Sequence, residues 1–241
     1  SAGAAHYSAT GRAMDDTTLA ACRTADGVLK GPVGDPAVRA PDGIEAGTLG
    51  GVLRPGLDAY ANVRPIRLYP GVTSALRDVA ETGIDYIIVR ENTEGLYASR
   101  GKGTVTPEGV TDFMTMSRAG IDRVVRKAFS LAAPRPRRRV TCVDKANVLR
   151  GFALFREIFD THAAQHPDIA ADHLYADAAA AALVERPGTF DVLVTENFVG
   201  DILSDLGAAT VGGLGMCPSG NIGETAAYFE PIHGSAPGLA G

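Results

Sequence analysis

The stretch 191–210, DVLVTENFVGDILSDLGAAT, decides the fold. Residues 191–196 form an apolar run that turns polar at its end, the pattern of a strand buried on both faces of a parallel sheet. A helix is predicted over 200–210, with Ile202, Leu203 and Leu206 toward a core. The run at 86–91, YIIVRE, repeats the strand pattern. Working outward, further strands are predicted at 27–29, 62–68, 140–144 and 171–175. Helices are predicted at 17–24, 51–60, 109–132, 146–166 and 176–186. Alternating strands and helices make an α/β protein, whose ligand groups gather at the carboxyl ends of the strands. The segment 212–223, GGLGMCPSGNIG, is too rich in glycine for a helix and reads as a connecting loop.

Composition narrows the function classes. The 241 residues are 45% hydrophobic and 21% charged, which fits a soluble globular protein and excludes a disordered tail, a fibre or a coiled coil. The net charge of −5 provides no basic field to hold nucleic acid or an anionic membrane. Cys22, Cys142 and Cys217 never approach a CxxC spacing, so neither a disulfide framework nor a structural zinc site is expected. No apolar run approaches the ~20 residues that span a bilayer, and no signal peptide is recognisable, so the expected location is cytoplasmic. The basic run 134–139, PRPRRR, reads as a solvated connection between a helix and a strand.

Several residues carry chemistry. Asp201 and Asp205 stand four apart, so a helix projects both carboxylates from one face. Like charges at that spacing repel, whereas Mg²⁺ or Mn²⁺ favours such paired hard oxygens. A solvent-facing pair fits the spacing equally. Asp177 opens an alanine-rich helix as either a third acid or an N-cap. Arg90 ends a buried strand and requires a carboxylate partner. With Arg54 and Arg64 it suits a di- or tricarboxylate, although single salt bridges account for each arginine as well. Lys145 follows the apolar strand RVTCV, where an α/β fold displays catalytic groups, and a lysine in a dry cleft can act as a base. The turn in EPIHGSAP, 230–237, presents bare amides suited to a phosphate or ribose. Neither GxGxxG nor GxxxxGK[ST] occurs.

Six motifs, YANVRPIRLYPG, IIVRENTEGLY, VDKANVL, YADAAAAALV, TENFVGDILSDL and FEPIHGSAP, run in order from about residue 50 to the end. Together they resemble the β-decarboxylating dehydrogenases of the isocitrate/3-isopropylmalate dehydrogenase family, which includes tartrate/D-malate enzymes. The resemblance implies two α/β domains around an active-site cleft, the first built from 1–59 and 212–241 and the second from 60–211. It implies Arg54, Arg64 and Arg90 as the substrate's carboxylate clamp, Tyr97 and Lys145 as catalytic residues, and Asp177, Asp201 and Asp205 around Mg²⁺ or Mn²⁺. It places Asn147, Glu230, His233, Gly234, Ser235 and Ala236 against NAD, with NADP left open because Gly238 matches neither cofactor pattern. The implied reaction is oxidative decarboxylation of a 3-carboxy-2-hydroxy acid by a homodimer with shared sites. A regulatory, non-catalytic paralogue is the alternative. The family's GDGIGPE turn and its segment after SAPGLAG are missing, which leads us to expect a fragment of a longer protein. Thr48, Gly50 and Gly51 fit neither the isopropylmalate nor the isocitrate pattern of substrate contacts.

Overall fold

A computed structural model of the chain describes residues 1–77, 79 and 83–236. In chain order its elements are α1 (Ala4–Thr10), α2 (Asp16–Thr24), β1 (Val28–Leu29), α3 (Gly50–Gly56), β2 (Ala61–Arg67), β3 (Asp85–Glu91), β4 (Thr104–Thr106), β5 (Gly109–Thr111), α4 (Arg118–Ala132), β6 (Arg139–Asp144), α5 (Arg150–Gln165), β7 (Ala170–Tyr175), α6 (Ala176–Glu185), β8 (Val192–Thr195), α7 (Asn197–Thr210), β9 (Pro218–Ile222) and β10 (Ala227–Pro231). Eight strands form one mixed sheet in the order β1-β10-β9-β2-β3-β8-β6-β7. β3, β8, β6 and β7 run parallel, while β2, β9 and β10 alternate in direction beside them.

Apolar burial sets the layers. On one face, α4 and α5 bring Ile121, Val125, Phe129, Phe155 and Phe159 against Val89, Val140 and Val192. On the other, α6 and α7 bring Leu183, Leu203 and Ala208 against Ile66, Ile88 and Leu193. Each such side chain contributes about 1.5–3 kcal/mol when fully buried. Small residues let α7 lie close to β3. A Cβ at Gly200 would meet the Arg90 side chain at 2.7 Å, and one at Gly207 would meet the Tyr86 hydroxyl oxygen at 2.6 Å. This close seat delivers Asp201 to the end of β3.

The strands expected at 62–68, 86–91, 140–144, 171–175 and 191–196 fall on β2, β3, β6, β7 and β8. The helices expected over 146–166 and 200–210 start instead at Arg150 and Asn197, and three further expectations need correction. The helix expected over 109–132 starts only at Arg118, where the Ser117 hydroxyl caps it by accepting from the Gly120 amide at 3.0 Å. Residues 109–111 instead close a hairpin with β4. The helix expected over 51–60 ends at Gly56, and Asp58 then turns the chain with φ of 44°. The loop expected over 212–223 contains β9, which is held by β2 and β10 on its two sides. The basic run is tied down locally, with Arg135 on Asp85 and Asp191, Arg138 on Asp168 and Arg139 on Asp172. Among the described residues, no helix is long and apolar enough to cross a membrane.

Candidate active site

The carboxyl end of β3 carries Arg90, only 1% exposed. Its Nε donates to Asn197 Oδ1 at 2.9 Å, and its Nη1 pairs with the Asp201 carboxylate. Arg64, on neighbouring β2, places Nη1 at 3.4 Å from Asp201 Oδ1 and 3.3 Å from Asp205 Oδ1. The same Nη1 donates to Ser204 Oγ at 2.5 Å. Thus α7 presents Asp201, Ser204 and Asp205 along one stripe, as spacings of three and four require. The Tyr97 hydroxyl donates to Asp201 Oδ2 at 2.8 Å. Its ring stands edge-on to Phe198 at 5.7 Å, and the Arg90 guanidinium lies 5.4 Å from its centroid. Arg54, from α3, completes the group, with a buried Nε that has no hydrogen-bond partner among the described residues. Arg54, Arg90, Tyr97, Asn197 and Asp201 border a cavity of about 790 Å³ whose wall also includes Gly50 and Gly51, while Arg64, Ser204 and Asp205 lie behind it.

The electrostatics separate the two aspartates. Burial alone would raise the Asp201 carboxyl, but Arg90 and Arg64, with the Tyr97 hydroxyl, outweigh it and hold it below the ordinary carboxylate value. Asp205 moves the other way, because burial and the Asp201 charge exceed the help from Arg64. Burial, then the hydrogen bond to Asp201, pushes the Tyr97 phenol up to about 12, so it keeps its proton at neutral pH. Burial, followed by Arg54, pulls Arg90 down to about 9, against the attraction of Asp201. Arg90 remains charged at neutral pH, since guanidinium groups do not deprotonate in proteins. Arg54, Arg90 and Arg100 therefore line the cavity with Asp201, and Arg64 and Asp205 stand behind that wall, a cationic excess that attracts a polyanion. Asp201 is anionic and Asp205 shares its approach to Arg64, so this acid pair offers the hard oxygen donors that Mg²⁺ or Mn²⁺ favours.

The remaining candidates lie elsewhere. Lys145 Nζ, after β6, donates to Asp177 Oδ1 at 2.7 Å, and neither residue borders the cavity. Asn147 is exposed. Glu230 is the penultimate residue of β10, where Oε1 accepts from Asn221 at 2.9 Å and the carboxylate pairs with Lys30. His233 Nδ1 contacts its neighbour's carbonyl at 2.9 Å, and Ser235 Oγ donates to the Gly34 carbonyl. Gly234 and Ala236 are exposed, and a Cβ at Gly234 would meet open space. Gly238 lies outside the described residues. Sequence reasoning missed Asn197 and Ser204, which hold the two arginines. Asn197 stands four before Asp201 and Ser204 three after it, on the same helix face, and that spacing was the available signal. Cys142, Asp144 and His173 also gather within 4.8 Å. Arg156, however, occupies both Asp144 oxygens at 2.8 Å and already supplies the cationic partner there.

Comparison with known proteins gives a consistent picture. The family model for isocitrate/isopropylmalate dehydrogenase matches residues 1–241. The 3-isopropylmalate dehydrogenase of Beutenbergia cavernae is 44% identical over 99% of this chain and 70% of its own length. The crystal structure of isocitrate dehydrogenase from Methylococcus capsulatus superposes with a TM-score of 0.88 at 38% identity, over 99% of this chain and 69% of that one. A protein from Thermus thermophilus gives a TM-score of 0.89 at 39% identity, over 100% of this chain and 47% of that one.

Proposed function

The chain belongs to the isocitrate/isopropylmalate dehydrogenase family, and from that premise we propose that its cavity serves the oxidative decarboxylation of a 3-carboxy-2-hydroxy acid with NAD or NADP. The observation that carries this reading is Asp201, shared by Arg64 and Arg90 and bonded to the Tyr97 hydroxyl at the cavity wall. Arg54, Arg64 and Arg90 bind the acid's carboxylates by two-pronged hydrogen bonds. When bound, Mg²⁺ or Mn²⁺ on Asp201 and Asp205 supplies Lewis-acid stabilisation of developing negative charge, and the nicotinamide supplies the hydride acceptor. Tyr97 keeps its proton at neutral pH and delivers it to C3 after carbon dioxide leaves. Lys145 takes up the proton of the substrate hydroxyl, and Asp177 completes the acid set.

Because Lys145 and Asp177 pair with each other outside the cavity of their own chain, the proposal has them serve a partner protomer's site. Exposed Val105, Val110 and Phe113, on and after the β4–β5 hairpin, support a second copy as the partner. A division into units at 60 and 211, a cofactor role for 230–236 with Asn147, and a cytoplasmic location belong to the same proposal. Gly50 and Gly51 offer few apolar contacts, so discrimination between substituents at C3 should stay below about a thousandfold, the range of one or two lost apolar contacts. The test is Mn²⁺-dependent reduction of NAD or NADP with D-malate, tartrate, isocitrate and 3-isopropylmalate, using the protein that carries this chain. Reduction with at least one acid supports the reading, and none with any acid would sink it.

A further inference from the structure

Beneath the cavity, four neighbouring strands bring polar side chains together on one face of the sheet. Asn62 of β2 lies opposite Arg90 of β3 and opposite Asn221 of β9, while Glu230 of β10 lies opposite Ser219. Asn62 and Asn221 are 0% exposed and Arg64 is 4% exposed. Arg64 Nε donates to Asn62 Oδ1 at 2.6 Å. Asn62 Nδ2 donates to Asn221 Oδ1 at 2.8 Å and to Ser219 Oγ at 2.7 Å. Asn221 Nδ2 donates to Glu230 Oε1 at 2.9 Å, and Lys30 holds the other Glu230 oxygen. Asn92 adds a second donor to Asn221 Oδ1 at 2.9 Å.

Chemistry permits only one direction along this chain. A guanidinium has donors alone, so Asn62 must turn its oxygen to Arg64 and its two amide hydrogens to Asn221 and Ser219. Asn221 must then present its oxygen to Asn62 and its amide group to the Glu230 carboxylate. Every link donates the same way, from a buried cation to a carboxylate three bonds distant. In a low-dielectric interior such a chain is polarised by the charges at its ends, so its strength depends on both. Strand pairing by itself has no need of amides here, since β-branched or aromatic residues suit central strands better.

We infer that Asn62 and Asn221 are positioning residues that form a one-way amide relay, orienting the Arg64 guanidinium by the charge of Glu230. The relay deepens the proposed function, on which it rests, because it ties the carboxylate clamp to the strand that leads into 230–236.

The test is calorimetric binding of 3-isopropylmalate in the presence of Mn²⁺, with no nucleotide, to the protein carrying this chain. Asn221→Asp sets a carboxylate oxygen against Glu230 and should weaken binding about tenfold, the effect of one broken buried link. Adding Glu230→Gln reverses that last link, because the new amide donates to the new carboxylate, and it restores the wild-type charge. The double variant should recover to within about threefold of wild type. Glu230→Gln alone, near the sheet edge, should weaken binding about threefold without unfolding the protein. A residue that only supports the fold would lower Tm in the single variants yet leave the affinity of the folded protein unchanged. Unchanged affinity in either single variant, or a folded double variant that fails to recover, overturns the relay while leaving the proposed function standing. A wild-type protein that binds neither this acid nor the others of the panel removes the proposed function and the relay with it.

Discussion

Asp201→Asn tests the electrostatic core of the site. Asp201 serves two buried guanidinium groups, and the substitution keeps its shape while removing the charge. Truncating one member of a buried ion pair costs about 3–5 kcal/mol. Two features reduce that figure. The Asp201 side chain is 33% exposed, so solvent screens part of the interaction, and Asp205 still faces Arg64 at 3.3 Å. The expected loss is about 2–3 kcal/mol, which for a chain of this length lowers Tm by roughly 5–10 °C. The effect has a definite pH dependence. Asp201 is held below the ordinary value of about 3.9, so its contribution is fully present above that value and is lost as pH falls through the folded one. Asp205 is raised and has the opposite sign, and because the Asp201 charge is one cause of that rise, its opposing contribution shrinks in the variant. Urea unfolding followed by circular dichroism at pH 7 and toward pH 3 gives the readout. A gap below about 0.5 kcal/mol at neutral pH, or one that does not shrink on acidification, would refute the pairing of Asp201 with Arg90 and Arg64.

Tyr97→Phe removes one hydrogen bond at a part-exposed position, so stability should change by about 1 kcal/mol or less, while turnover should fall at least about a hundredfold if Tyr97 is the proton donor. The pH profile of the unmutated enzyme should show no tyrosine limb up to about pH 10, since the phenol is raised above its usual value. Gly200→Ala places a Cβ at 2.7 Å from the Arg90 side chain and should cost about 1–3 kcal/mol in the same urea assay; a neutral result would show that α7 can shift freely on β3. Mn²⁺ titrated alone should bind weakly, because Asp201 is already engaged by two arginines, and should bind more tightly once a hydroxy acid occupies those arginines; equal affinity with and without the acid would contradict this competition. A hybrid dimer of Arg90→Ala and Lys145→Ala chains should regain about half of wild-type activity, one site receiving both lesions and the other none; hybrids as inactive as both parents would exclude a site shared between protomers.

What could be read in the sequence follows from how locally each feature is determined. β3 and β8 were legible because strands buried on both faces need unbroken apolar runs, and Arg90 was legible because a guanidinium at the end of such a run needs an anion. β9 was not, because its pairing is imposed by β2 and β10, and the Phe229 ring packs 3.3 Å from where a Cβ of Gly220 would be. The hairpin at 104–111 was hidden because Val110 and Phe113 stand three apart, which matches helical spacing, whereas the helix begins only where Ser117 caps it. Asn62 read as the first residue of a strand and Asn221 as part of a connecting loop, and only cross-strand register shows them side by side.

The same limit applies to the acids. Spacing made Asp201 and Asp205 equivalent, since either satisfies the helix-face rule. The fold makes them unequal, because Gly200 lets α7 approach β3 and puts Arg90 within reach of Asp201 but not of Asp205. One carboxylate is thereby held ionised by two guanidinium groups, while the other is left nearer its protonated form. That asymmetry comes from contacts of β2 and β3 with α7, which lies more than a hundred residues further along the chain. It gives Asp201 the central position: in the proposed reading the arginines that bind a carboxylate ligand are the same groups that hold this aspartate, so an incoming acid competes with Asp201 for their donors.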